Sequence, residues 1–133
     1  EAVEFAVKLR DSTNRSKGLL RHPVISRTFY ERHGLFDDAY RGVFCDDDIT
    51  RRAFWRAAIL DGRSIVLEHQ HPDLDKTVQR SESQSRINTE SEYRHGREQY
   101  YATWSKQKRS VRIRLVKSGG SSQINPSALR RIA

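Results

Sequence analysis

The chain reads as an α/β protein with a helical and basic C-terminal extension. Two patterns predict this. Ile49, Ala53, Ala57 and Leu60 recur near the helical period behind Asp46-Asp47-Asp48, a run suited to a helix N-terminus. Asp61-Gly62 then ends the helix, and residues 64–69, with Ile65-Val66-Leu67 at their centre, read as a buried strand stopped by Pro72.

The remaining elements follow in order. Residues 1–10 mix helix and strand signals, and residues 11–18 are polar and loop-like. Residues 19–25 read as extended, because Pro23 disfavours helix at His22. Ser26 suits the N-cap of a short helix through Thr28-Phe29-Tyr30-Glu31-Arg32, and Gly34 suits its end. Residues 73–88 are polar, the composition of a loop or lid, and residues 89–108 are helix-prone with weak amphipathicity. Val111, Ile113 and Leu115 alternate with Arg112 and Arg114, as in an edge or hairpin strand. Ser118-Gly119-Gly120-Ser121-Ser122 has linker composition, and the residues beyond it are expected to be disordered or held by another partner. The expected division is a body over 1–104 and a basic tail over 105–133.

Composition narrows the function classes. At 133 residues, 35% hydrophobic and 32% charged, the chain is polar for one self-contained globule and suits one domain or part of a larger one. The net charge of +8 would by itself suggest nucleic acid or an anionic surface. Its location argues otherwise. The last acidic residue is Glu98, and residues 105–133 hold eight of the 25 basic residues, which leaves 17 basic against 17 acidic in the body. The basicity belongs to the tail, and a nucleic-acid ligand for the body is not expected. Cys45 is the single cysteine, so no intrachain disulfide can form, which favours a reducing, cytoplasmic setting. No apolar run has the length of a transmembrane helix. A chain that begins at Glu1 is expected to be processed, excised or incomplete.

Two groups of residues carry chemistry. Any one aspartate of Asp46-Asp47-Asp48 is explained as a helix cap, but three in a row exceed what capping needs. His69 and His71 leave the end of the strand together beside Glu68, and imidazole with carboxylate is a common ligand set for a divalent cation. Acid/base chemistry and metal ligation can therefore meet at one site.

The motif series resembles family 2 glycosyltransferases. Gly34-Leu35-Phe36-Asp37-Asp38-Ala39-Tyr40, at the end of the run that starts at Ser26, is similar to that family's Gly-x-Phe-Asp-Glu-x-Phe. Asp46, Asp48, Ile49 and Arg52-Ala53 fall on its Glu-Asp-x-Asp/Glu-Leu-x-x-Arg-Ala, Asp61-Gly62 falls on the helix end, and His69 on the histidine that closes the next strand. The resemblance spans roughly residues 19–72. It implies the GT-A fold, specifically its second, acceptor-binding half, and an inverting transfer from a nucleotide-sugar donor to a glycan or other hydroxyl acceptor. It implies that Asp46 is the catalytic base and His69 a ligand of a divalent metal, Mn or Mg. Asp47, Asp48, His71, Trp55, Lys76 and Arg27 would complete the donor and acceptor sites. Cys45 stands where the family has glutamate, so a one-residue shift would make Asp47 the base instead. No Asp-x-Asp and no strand–helix repeats precede residue 19, so a nucleotide-binding half would come from elsewhere, as a missing N-terminal half or a partner chain. Two other classes stay open: a metal-dependent phosphodiesterase or nuclease using Asp46, Asp48, His69 and His71, and a non-catalytic nucleic-acid-binding module using the tail.

Overall fold

The computed structural model describes residues 3–13 and 18–104, together with the backbone of three short strands beyond them. The protein is a small mixed α/β fold built on a sheet whose body has strand order β2-β1-β3. β1 (Phe5–Asp11) lies in the middle, antiparallel to β2 (Val24–Ile25) on one side and parallel to β3 (Ala58–Leu67) on the other. Parallel neighbours need a crossover connection, and here α1 (Arg27–His33) and α2 (Cys45–Arg56) lie within it.

α1 begins and ends as its sequence predicts. The Ser26 hydroxyl accepts from the Phe29 N–H, and Gly34, at φ 69°, supplies the left-handed turn that stops the helix. The same hydroxyl accepts from the Phe5 N–H at 3.1 Å, so one side chain ties the start of α1 to the start of β1. α2 begins at Cys45 after Phe44, which adopts φ 70° and offers no side-chain cap, so the aspartates of the first turn answer the exposed N–H groups.

The helix ends earlier and the strand starts earlier than the apolar period predicts. α2 stops at Arg56, and Ala58 to Leu60, expected as helix, pair in register with Phe5 to Val7. Gly62 is therefore not a helix stop. A Cβ there would lie 2.4 Å from Val7 Cγ1, so glycine is required for β3 to lie against β1. Past Gly62 the register shifts: Leu9 pairs with Gly62 but Arg10 with Val66, leaving residues 63–65 of β3 without partners on β1.

The core is small. Ala6, Leu20, Phe29, Ile49, Ala53 and Ile59 form one buried cluster, which joins β1, the segment before β2, α1, α2 and β3. α2 thus folds back against the strand that follows it. The expected polar loop contains a third helix, α3 (Glu82–Ile87), which opens with a capping box between Ser81 and Gln84. α4 (Glu90–Thr103), capped by Thr89, packs so closely on the α2 approach that a Cβ on Gly96 would lie 2.7 Å from the Val43 carbonyl oxygen. Beyond the body, β4 (Arg112–Arg114) falls on the strand predicted there and pairs with β6 (Arg130–Ile132). β5 (Gln123–Ile124) pairs antiparallel with Ile59 and Leu60 as a short fourth strand. β5 and β6 lie in the stretch expected to be disordered or held by another partner. The predicted Gly/Ser linker lies outside the described residues.

Candidate metal centre

β1 and β3 run parallel, so both finish at the same edge of the sheet. Two bonds fasten those ends: the Ser12 N–H donates to the Leu67 carbonyl at 3.0 Å, and the His69 N–H donates to the Ser12 hydroxyl at 2.8 Å. This clasp sets His69 beside Asp11. The extended segment ahead of β2 brings His22 to the same point. Asp11 Oδ2 lies 2.8 Å from His69 Nδ1 and 3.0 Å from His22 Nε2, and the two imidazoles meet edge to face at 5.5 Å between centroids.

The placement of Asp11 depends on the register shift. Ala6 and Lys8 turn one face of β1 inward, and strict alternation would bury Arg10 and expose Asp11. The reverse occurs: Arg10 is exposed and Asp11 is 7% exposed, at the point where residues 63–65 interrupt the ladder. Burial opposes the Asp11 charge. Hydrogen bonds from the Thr13 hydroxyl and N–H, His69 and His22 outweigh that opposition and hold the carboxyl well below the usual carboxylate range. Arg21 NH1 stands 3.8 Å from Oδ2. Lys8 is buried nearby and donates to the Leu19 carbonyl at 2.5 Å. Burial pushes its ammonium below the usual lysine range, the Asp11 charge opposing and Arg21 and Arg63 reinforcing.

One carboxylate and two imidazoles are a donor set for a divalent transition metal. Their ligand atoms lie within 4.8 Å of one another, and among the described residues this is the group that meets that geometry. Ligands about 2.1 Å from a tetrahedral ion sit roughly 3.4 Å apart, so the Asp11–histidine spacings need only slight widening. A carboxylate accepts hydrogen bonds, so both rings turn an N–H toward Asp11. Entry of a cation requires each ring to carry its proton on the other nitrogen. The residues fit the ion.

The sequence offers His69 as a candidate ligand; it does not offer Asp11 or His22. The available signal was a carboxylate at the end of an apolar run, Ala6-Val7-Lys8-Leu9, and a histidine fixed in extended backbone by Pro23. His71 stacks edge to face on His69 at 5.3 Å and stands 3.7 Å from Asp73, next to the centre. Asp46 is not in the group. It is half-buried in the first turn of α2, where its carbonyl accepts from the Thr50 hydroxyl, and that hydroxyl accepts from the Leu20 N–H at 2.8 Å. The segment carrying His22 is therefore bonded to the helix face of Asp46 and Thr50.

The other predicted site residues lie elsewhere. Asp47 is buried. Asp48 faces away from Asp46 and is engaged by Arg52 at 2.8 Å, Trp104 Nε1 at 2.9 Å and the Tyr40 hydroxyl at 3.4 Å. Arg52 also donates to the carbonyls of His33, Gly34 and Leu35, so this pair locks the end of α1 to α2. Trp55 is 45% exposed and touches Phe54, Arg27 pairs with Glu31 on an exposed surface, and Lys76 is exposed. Cys45 donates to the Gly42 carbonyl, and burial pushes its thiol up to about 11, which makes it a poor nucleophile. Comparison with protein-family models, with curated proteins and with solved structures gave no match.

Proposed function

We propose that this chain is the acceptor-side part of an inverting, metal-assisted glycosyltransferase that moves a sugar from a nucleoside-diphosphate donor to an acceptor hydroxyl. The observation that carries the reading is the convergence of Asp11, His22 and His69 at the carboxyl ends of two parallel strands. Open α/β sheets bind their ligands at that end. The reaction class comes from the resemblance to family 2 glycosyltransferases and its GT-A second half, where the order is also helix, strand, histidine.

Two imidazoles and a carboxylate favour Mn²⁺ over Mg²⁺, which prefers oxygen ligands and keeps its water. When bound, the metal would supply charge neutralisation to the leaving diphosphate. The chain's own residues do the rest. Asp46 takes the proton of the attacking acceptor hydroxyl from the helix face that is bonded to the His22 segment. Arg21, beside Asp11, adds positive charge where the diphosphate departs. Ser12 orients His69 through its backbone.

Calorimetric titration with MnCl₂ tests the centre. One site is expected on the chain, lost in His69→Ala and weakened at least tenfold in Asp11→Asn. In a protein that also holds a nucleotide-binding half, Asp46→Asn is expected to lower turnover by about 10²–10⁴ with donor binding kept. His69→Ala should instead weaken donor binding, partly restored by added Mn²⁺. If turnover follows Asp47→Asn rather than Asp46→Asn, the base lies one residue later. Absence of Mn²⁺ uptake, or uptake indifferent to His69→Ala, would overturn the proposal. Metal-dependent phosphodiester cleavage would reassign the centre to hydrolysis.

A further inference from the structure

α2 presents different faces at Asp46 and Asp48. Asp46 and Asp48 are two residues apart, about 200° around the helix axis, so a ligand beside Asp48 is not at the place where Asp46 would act. On the Asp48 side lies a cleft of about 330 Å³ between the end of α1, the loop that follows it, α2 and the end of α4. That volume falls at the small end of the range for small-molecule sites, about 300–1,000 Å³.

Its lining selects a chemistry. Asp37, Asp48, Arg52 and Arg56 contribute two negative and two positive charges, which cancel, and the other titratable lining group, His33, is paired with Glu4 at 2.8 Å. The inner pair is already committed: Asp48 to Arg52 and Trp104, Arg52 to Asp48 and three carbonyls. A charged ligand would have to break those bonds or face an equal opposing charge. The outer groups differ. Asp37 and Arg56 are exposed, Asp37 using one oxygen, Oδ1, to accept from the Ala39 N–H at 2.9 Å and Arg56 using one N–H to reach His33 Nδ1 at 3.2 Å. Phe36 is 44% exposed, and it and Trp104 bring aromatic surface to the same space. Aromatic carbon beside one acceptor carboxylate and one donor guanidinium, with no net charge, suits a neutral polyhydroxylated ring: apolar C–H surface against the aromatics, hydroxyls to the charged pair.

We propose that this cleft is a carbohydrate-binding site, separate from the reaction centre, that holds a pyranose ring between Phe36 and Trp104 with its hydroxyls on Asp37 and Arg56. Its role, gripping a distal unit of a glycan acceptor, rests on the glycosyl-transfer reading; the binding itself does not. The test is ¹H–¹⁵N spectroscopy of the full chain titrated at tens of millimolar with methyl glucoside, galactoside, mannoside and N-acetylglucosaminide. At least one should shift the Trp104 indole N–H saturably and leave Trp55 unmoved. Loss of a hydrogen bond to a charged group costs about tenfold or more in affinity, so Asp37→Asn should weaken binding by about that factor. Phe36→Ala should do likewise and Phe36→Tyr should not. If Phe36→Ala does not fold, Asp37→Asn decides. No shift with any pyranoside, a shift unchanged in Asp37→Asn, or a stronger response to inorganic phosphate would overturn the assignment. His69→Ala separates the two readings. Sugar binding that survives in it without Mn²⁺ uptake by the parent leaves this site standing and removes the metal centre. Mn²⁺ uptake without sugar binding does the reverse.

Discussion

Asp11 keeps its charge against its own burial. Its folded carboxyl titrates below the ordinary value because Thr13, His69 and His22 bond the ionised form. A depressed folded pKa contributes stability that is present above the unfolded pKa, near 3.9, and is lost as pH falls toward the folded one. The urea midpoint should therefore fall as pH is lowered from 5 toward 2, and in Asp11→Asn that fall should be shallower; equal slopes would show that Asp11 is not the group being titrated. Asp48 occupies a different kind of position. Its three partners are met inside the fold, and the partly buried Arg52 guanidinium would lose its carboxylate and keep only backbone carbonyls. Breaking such a pair costs about 3–5 kcal/mol, so Asp48→Ala is expected to lower stability by about that much in chemical denaturation. This side chain reads in the sequence like its neighbours in the aspartate run, and only the fold separates it from Asp46.

Elements whose ends are set by neighbouring residues were legible, and elements set by distant ones were not. Ser26 and Gly34 bound α1 because capping acts within one turn. The sequence places the end of α2 too late because Ala57 and Leu60 continue the helical period, while the competing claim on residues 58–60 comes from Phe5 to Val7, some fifty positions away. β1 mixed its signals for a related reason: it carries Lys8 inward and reverses its alternation at Asp11, in answer to an irregularity in β3. Gly62 is the test of this contact. Gly62→Ala pushes a methyl against Val7 and Leu9, and overpacking of this kind costs typically about 1–3 kcal/mol. A neutral substitution, measured by urea unfolding, would mean that β1 and β3 lie farther apart than described. The histidine at the end of β3 could be read locally, but its partners Asp11 and His22 come from stretches whose convergence is tertiary.

Across the whole molecule, the proposed centre ties together positions 11, 22 and 69, which belong to the central strand, the segment before β2 and the exit from β3. A ligand that bridges three such stretches stabilises the global fold rather than one loop. At a hundredfold excess over its dissociation constant it contributes about 2.7 kcal/mol, which for a domain of this size is a rise in Tm on the order of 10 °C. Mn²⁺ should produce that rise, chelation should reverse it, and His69→Ala should abolish it; a parent Tm indifferent to Mn²⁺ would argue against the centre.

Residues 63–65 give this sheet slack. They leave the ladder with β1 after Gly62, and the chain re-enters it at Val66, held meanwhile by three bonds from Arg63 to the Asp61 carboxylate, one from the backbone N–H at 3.1 Å and two from the guanidinium at 2.8 and 2.7 Å. Before them the strand carries Ile59 into the core cluster, and after them it leads to His69. A change of one residue there that carried the downstream register with it would turn His69 to the other face of the sheet, away from Asp11, while Ile59, Ala6 and α2 kept their seats. The excursion is thus a point where one residue more or less would part His69 from Asp11 without disturbing how the core packs.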